Sequence, residues 1–183
     1  RTTGDINDSW RRMSEIGFSQ FDIVSYVTPG HWNDPDMLEI GNGGMTGDEY
    51  RTHMSLWCLL RAPLLAGNDL TSMSEETKSI LMNHEVIAID QDRAAKPPKV
   101  ISQSGDTEVA ARPLADGSTA VALFNKGDRA AEVRVDWEAA GVRTGRLRAR
   151  DLWKHAEVRA GGNHYAAEVP AHGVVLLRVE AEA

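Results

Sequence analysis

Three short stretches of the chain place carboxylate or amide side chains beside glycine or proline and next to an apolar run: residues 1–6, 32–38 and 67–70. Side chains in this setting stand at the end of a packed element rather than on the solvated face of a helix. Carboxylates grouped in this way can transfer protons to and from a bound molecule. We therefore predict a single site, formed where successive strand and helix units end.

The residues between the first two stretches have helical and then extended patterns. Asn7 or Asp8 is predicted to cap a helix whose apolar residues recur at helical spacing, namely Trp10, Met13 and Ile16. Residues 21–27 then form a connecting segment. A strand is predicted to end at residues 36–38, because Pro35 has no N–H group to give to a ladder.

Residues 48–89 repeat the predicted alternation of helical and extended segments. Residues 48–61 have helical periodicity, and Pro63 is predicted to end that helix. Residues 64–66 are predicted to form a short buried strand. Ser74 is predicted to cap a further helix, with two glutamates in its first turn where the helix dipole favours negative charge. A second short apolar run follows at residues 86–89.

The character of the sequence changes after the proline-containing linker at residues 96–99. Strand-like runs now alternate with turn residues, which is typical of an antiparallel sheet protein. We predict a small antiparallel sandwich with Greek-key character. The predicted strands cover residues 109–112, 119–125, 131–137, 146–153, 165–169 and 174–179.

The composition restricts the classes of partner. The 183 residues are 42% hydrophobic and 26% charged, which is typical of a globular protein, and no apolar run is long enough to span a membrane. The net charge of -7 argues against nucleic acid as a partner. Cys58 is the single cysteine and lies in an apolar run, so a buried side chain is predicted. The histidines have no paired spacing typical of a metal site, so no metal is predicted.

Four motifs carry a family resemblance. They are Arg-x-x-x-Asp-Ile at residues 1–6, Pro-Gly-His-Trp-Asn-Asp-Pro-Asp-Met-Leu at 29–38, Ala-Pro-Leu to Asn-Asp-Leu at 62–70, and Val-Ile-Ala-Ile-Asp-Gln-Asp at 86–92. Together they resemble glycoside hydrolase family 27, the melibiase or α-galactosidase family.

The resemblance implies a fold with two parts. Residues 1–96 would be the last α/β units of a (β/α)8 TIM barrel, and residues 97–183 an all-β antiparallel Greek-key sandwich. Such a barrel needs about 250 residues, and the first residue of the chain already lies inside a motif. We therefore expect the upstream half of the same barrel to precede this chain and to be its partner.

The resemblance also implies a chemistry, namely retaining hydrolysis of terminal α-D-galactosyl residues from galactose-containing oligosaccharides or polysaccharides, without a cofactor. It makes Asp5 the acid/base and assigns Arg1, Asp36 and Met37 to substrate binding. A retaining enzyme needs a second carboxylate about 5 to 5.5 Å from the first. The family resemblance puts that nucleophile on an earlier strand, so the chain alone is expected to be inactive. Family members are commonly exported, which favours an extracellular location.

The residue pattern alone leaves other roles open. Asp5 and Asp36 could each serve a turn or a helix cap, and Asp34 is predicted to make scaffold bonds. Arg1 would favour the ionised form of Asp5, whereas an acid must first carry a proton, so Arg1 fits better as a ligand for sugar hydroxyls. Two alternative activities share the scaffold, α-N-acetylgalactosaminidase and β-L-arabinopyranosidase. A non-catalytic carbohydrate-binding module is the alternative from another functional class.

Overall fold

The structure is a computed structural model that describes residues 1–143 and 145–182. The helices are α1 (Trp10–Ser19), a 3-10 helix (Gln20–Tyr26), α2 (Gly47–Leu60), α3 (Glu75–Leu81) and α4 (His84–Asp90). The strands are β1 (Lys99–Ser104), β2 (Thr107–Pro113), β3 (Thr119–Asn125), β4 (Ala131–Asp136), β5 (Leu147–Asp151), β6 (Ala156–Val158), β7 (His164–Val169) and β8 (Val174–Ala181). Within the described ranges, no helix combines the length and the apolar character needed to cross a membrane.

The two strands predicted before residue 96 are reduced to a single parallel bridge between Leu38 and Ala66. The Leu38 N–H donates to the Leu65 carbonyl at 2.8 Å, and the Gly67 N–H donates to the Leu38 carbonyl at 2.8 Å. A longer ladder is prevented because Pro35 lacks an N–H group and Asp36 has a left-handed backbone with φ of 79°. The predicted strand bounds were therefore wrong, although the parallel pairing expected of a barrel is present.

The first helix begins later than predicted. Its N-cap is Ser9, whose side chain accepts from the Arg12 N–H at 3.3 Å. Asp8 is not the cap because its carboxylate accepts from the Gly44 N–H at 2.5 Å and from the Tyr50 hydroxyl at 3.0 Å. Two segments predicted without helical structure are helical, since the 3-10 helix covers most of the connecting segment and α4 contains the apolar run 86–89.

The helix α2 follows the prediction closely, but its end has a different cause. Thr46 and Glu49 form a capping box at the N-terminus. The helix ends at Arg61, which adopts the left-handed conformation with φ of 58°, two residues before Pro63. The prediction for Ser74 is confirmed, because its hydroxyl caps α3 by accepting from the Thr77 N–H at 3.1 Å.

The remaining strands form two antiparallel sheets, with a six-stranded order of β1-β2-β3-β8-β5-β6 and a two-stranded pair β4-β7. This confirms the predicted sandwich, and the six predicted strands are all present with small shifts at their ends. Prediction missed β1 and β6. Both are strands at the edges of the larger sheet, and the exposed residues of β1 lack the alternation by which a strand is recognised.

The larger sheet is covered on both faces. Side chains alternate along a strand, so Val121 and Leu123 of β3 pack toward the small sheet, whereas Ala122 and Phe124 belong to the core that includes α2. This second core joins the helical part of the chain to the sandwich. The boundary between residues 96 and 97 stays a prediction.

A buried arginine also connects the two parts. Arg112 on β2 is fully buried, and its Nη1 donates to the Cys58 carbonyl at 3.1 Å and to the Leu59 carbonyl at 3.2 Å. These carbonyls lie in the last turn of α2, where the helix itself offers few donors, and the Cys58 carbonyl also accepts from the Arg61 N–H at 3.3 Å. Burial lowers the pKa of Arg112 to about 10, which still leaves the side chain charged at neutral pH.

Replacement of Arg112 tests this connection. Arg112→Ala leaves a cavity and removes the guanidinium donor from both carbonyls, so the free energy of unfolding is expected to fall by about 3 kcal/mol. Urea unfolding measures the change. The control is Arg148→Ala on the same sheet, where the side chain is 57% exposed and pairs only with surface glutamates. It should change the free energy of unfolding far less, because water screens an exposed ion pair, and equal losses in the two variants would show that Arg112 is not a structural connection.

Candidate functional site

The three polar stretches do converge, because two backbone contacts bring their segments side by side. The Thr2 N–H donates to the Asp34 carbonyl at 2.8 Å, and the Leu38 bridge joins the second stretch to Gly67. The second stretch therefore contacts both the first and the third. Asp36 stands in the middle of this arrangement.

The Asp36 carboxylate is the most heavily bonded group of the site. Its Oδ1 accepts from the Met37 N–H at 2.8 Å, and its Oδ2 accepts from the Ile6 N–H at 3.0 Å and from the Arg1 guanidinium. Burial alone would raise the pKa of Asp36, but the Ile6 and Met37 N–H groups and Arg1 lower it, and the net shift is downward. The side chain is therefore a buried, ionised acceptor.

The backbone around Asp36 is held by its own neighbours. The Asp36 N–H donates to Asp34 Oδ1 at 3.0 Å, which is the scaffold bond predicted for Asp34. This bond closes a local turn over Pro35. It leaves the Asp36 carboxylate free to point toward the first stretch of the chain.

Asp5 has the opposite environment. Its side chain is 86% exposed, and its Oδ1 accepts from Arg1 Nη2 at 2.5 Å. Arg1 therefore binds Asp5 and Asp36 at once, and these two hydrogen bonds raise the pKa of Arg1. The predicted site residues Arg1, Asp5 and Asp36 are brought together by this one guanidinium. Here Arg1 contacts both carboxylates, a double ion pair that the sequence-based expectation of sugar binding did not include.

Met37 extends the site toward the third stretch. Its side chain is 39% exposed, and it packs against Gly67, where an added Cβ would lie 2.9 Å from Met37 Cγ and 2.9 Å from the Leu38 carbonyl. Gly67 is needed because only a residue without a side chain leaves this space for Met37. Asp69 makes no contact with the carboxylate pair, since its Oδ1 accepts from the N–H and hydroxyl of Thr71.

The arrangement limits the possible chemistry. An exposed carboxylate can exchange a proton with a bound molecule, and a buried ionised one can accept hydrogen bonds from hydroxyl groups. Among residues 1–143 and 145–182 there is no group of three or more His, Cys, Asp or Glu side chains able to hold a metal ion.

Comparison with known families assigns the chain. A sequence profile described as "Alpha galactosidase A" matches residues 1–92, and one described as "Alpha galactosidase C-terminal beta sandwich domain" matches residues 104–179. The chain belongs to the melibiase family, glycoside hydrolase family 27. The predicted partial barrel followed by a sandwich is thereby confirmed.

Several members of the melibiase family are closely similar. The α-galactosidase of Cyamopsis tetragonoloba is 44% identical over 173 residues, covering 94% of this chain and 42% of that protein. The crystal structure of α-galactosidase I from Mortierella vinacea superposes with a TM-score of 0.94 at 35% identity, covering 100% of this chain and 53% of the other. A family 27 β-L-arabinopyranosidase from Geobacillus stearothermophilus gives a TM-score of 0.90 at 29% identity, covering 99% and 44%. The chain thus spans about half the length of these relatives.

In this melibiase family member, a second layer of residues supports the site, and sequence reasoning did not find it. Trp57 on helix α2 belongs to this layer. It is fully buried, but its Nε1–H also donates to the Asp36 carbonyl at 2.8 Å. Nothing in the spacing of helix α2 indicates which of its buried side chains carries a polar contact to another segment.

His53 belongs to the same layer. It is fully buried on α2, its Nε2 accepts from the Glu39 N–H at 3.1 Å, and its ring lies edge-on to Trp57 at a centroid distance of 4.1 Å. Burial lowers the pKa of His53 to about 3. The imidazole is therefore neutral in the folded protein, with Nε2 free of a proton so that it can accept.

The buried imidazole predicts a pH dependence of stability. Unfolded histidine has a pKa of about 6.5, so between pH 6.5 and about 3 the unfolded state binds a proton that the folded state excludes. The stability that the neutral His53 contributes is fully present above the pKa of the unfolded state. Below that pKa it falls by about 1.4 kcal/mol per pH unit. Lowering the pH from 7 to 5 should cost about 2 kcal/mol.

The variant His53→Gln keeps an acceptor for Glu39 but cannot titrate in this range. Its unfolding free energy should therefore fall less steeply between pH 6.5 and 5 than that of the unchanged protein. The control is His164→Gln, because His164 on β7 is only partly buried, whereas His53 is fully buried. If His53→Gln and His164→Gln have the same pH slope, His53 is not the group responsible.

Proposed function

We propose that this chain is part of a retaining α-galactosidase in which Asp5 is the acid/base and Arg1, Asp36 and Met37 bind the terminal sugar. The observation that carries the proposal is the double ion pair of Arg1, which joins an exposed carboxylate to a buried one at the end of adjacent segments. The curated relatives named above are α-galactosidases, and this chain covers 42% of the Cyamopsis enzyme.

The exposure of Asp5 suits it to proton transfer. In a retaining mechanism an acid protonates the leaving glycosidic oxygen while a nucleophilic carboxylate attacks the anomeric carbon, and the same acid later acts as a base on water. The Asp5 side chain is 86% exposed, so a leaving group can come into contact with it. Arg1 must move away from Asp5 before this carboxyl group can donate a proton to the leaving oxygen.

Asp36 and Met37 suit the binding of a sugar ring. Each oxygen of a carboxylate has two lone pairs, and Asp36 Oδ1 accepts only one bond, from the Met37 N–H. A sugar hydroxyl can donate to the remaining position. The exposed thioether of Met37 then offers an apolar surface next to this acceptor.

The upstream half of the barrel is the partner in this proposal and would supply the nucleophile. Residues 1–96 carry exposed apolar side chains next to the parallel bridge: Trp32 at 56%, Leu65 at 59% and Leu70 at 60%. A barrel closes by packing further strand and helix units on such edges. The substrate is a galactose-containing oligosaccharide or polysaccharide. No cofactor, nucleic acid or membrane takes part.

A second activity has a specific observation in its favour. The family 27 β-L-arabinopyranosidase superposes on nearly the whole chain, and the two sugars differ at the fifth carbon of the ring. Parallel assays with aryl α-galactoside and aryl β-L-arabinopyranoside separate the two activities. The absence of both would favour the non-catalytic carbohydrate-binding alternative.

The role of Asp5 is tested with Asp5→Ala in the full-length protein. If Asp5 protonates the leaving group, hydrolysis of a natural galactoside should fall by about 10²- to 10⁴-fold. An aryl α-galactoside with a good leaving group should lose far less activity in its first step, because its phenolate leaves without a proton. The ratio of kcat/KM for the two substrates is the measurement.

The matched control is Asp48→Ala. Asp48 is also an exposed aspartate paired with an arginine, at 3.0 Å from Arg51, but it lies on helix α2 away from the site. It should keep the wild-type ratio of the two substrates. Equal losses on both substrates in Asp5→Ala would remove Asp5 from the acid role.

A further inference from the structure

We propose that Trp57 is a positioning residue for sugar binding, which it serves by holding the backbone of Asp36 and Met37 through one buried hydrogen bond. This inference rests on the proposed function, because it assumes that Asp36 and Met37 contact the sugar. Trp57 itself is fully buried and touches no substrate.

The Asp36 backbone needs an external support. Asp36 has φ of 79°, in the left-handed region that favours glycine and that other residues occupy only when their surroundings impose it. Its N–H and its carboxylate are held by neighbours within the site. The carbonyl is the remaining polar group of this residue, and Trp57 Nε1–H donates to it at 2.8 Å.

This hydrogen bond has no substitute. Both partners are buried, so water cannot replace the indole as a donor. If the donor is removed, the Asp36 carbonyl is left without a partner, and the peptide between Asp36 and Met37 can rotate. Rotation of this peptide moves the Met37 N–H, which donates to Asp36 Oδ1 at 2.8 Å. The carboxylate and the Met37 side chain would then lose their orientation together.

The position of the Trp57 indole is fixed by packing on several sides. On one side Gly17 of helix α1 leaves room for it, because an added Cβ would lie 2.8 Å from Trp57 Cζ3. On another side the His53 ring packs edge-on, with an interplanar angle of 80°. The carbonyls of the two residues after Trp57 accept from Arg112 of the sandwich. Helix α2 therefore connects the sandwich to the sugar-binding residues.

The test is Trp57→Phe in the full-length protein, assayed on an α-galactoside. Because Asp36 and Met37 bind the sugar before and during the reaction, loss of their orientation should raise KM by about 5- to 10-fold. The value of kcat should stay within about twofold, since Asp5 is not displaced. The inhibition constant of free galactose should rise by the same factor as KM.

The matched control is Trp153→Phe. Trp153 Nε1 donates to Ser55 Oγ on the same helix at 2.8 Å, so the change deletes the same kind of donor next to the same element. Its KM should equal that of the unchanged protein even where its melting temperature falls. An equal rise of KM in both variants would overturn the positioning role.

Two further variants keep the test decisive. Benzothienylalanine at position 57 replaces the indole N–H with sulfur and keeps the ring shape, and it should reproduce the rise in KM if Trp57→Phe does not fold. In an Asp36→Ala background, Trp57→Phe should raise KM by a smaller factor, because Met37 is then the one sugar-binding residue that it still positions. An unchanged KM in Trp57→Phe, or the same factor of increase with and without the Asp36 side chain, would overturn the inference. A wild-type protein without activity on galactosides would instead overturn the proposed function.

Discussion

The constraint on which the site depends is the solvation of one buried charge. The Asp36 carboxylate lies out of water, and burial by itself disfavours its ionised form. Two backbone N–H groups and the Arg1 guanidinium replace the lost water. Because these donors come from residues 1–6 and from the residue after Asp36, satisfying one carboxylate also brings two segments of the chain into register.

The helical part and the sandwich share a core around helix α2, which also supports the site. The indole N–H of Trp57 on helix α2 donates to the Asp36 carbonyl in the site. At the C-terminal end of the same helix, the Cys58 carbonyl accepts from the Arg112 guanidinium. One face of the large sheet packs on this helix through Ala122 and Phe124. The sandwich is therefore more than an appended unit, because its packing fixes the helix that supports the site.

The two carboxylates of the site, Asp5 and Asp36, lie in different electrostatic environments. Asp36 is buried and bonded, whereas Asp5 is open to solvent, and Arg1 connects them. Two carboxylates with different surroundings suit different tasks, one in binding and one in proton exchange.

Much of the fold and of the candidate site could be predicted from the sequence alone. The motifs at residues 1–6 and 29–38 indicated the family, and the change of pattern after residue 96 indicated the sandwich, since alternation along a strand is a local property of the sequence. The capping residue Ser74 was also found, because a cap depends on residues three positions apart. The sequence also placed Arg1, Asp5, Asp36 and Met37 in one candidate site.

Other features were decided only by tertiary contacts. The start of α1 moved to Ser9 because Asp8 bonds to Gly44 and Tyr50, which are distant in sequence. Pro35 and the left-handed Asp36 shortened the predicted strands to one bridge. The polar contacts of Trp57 and Arg112 could not be predicted, because a local pattern shows that a side chain is buried but not which distant carbonyl it meets.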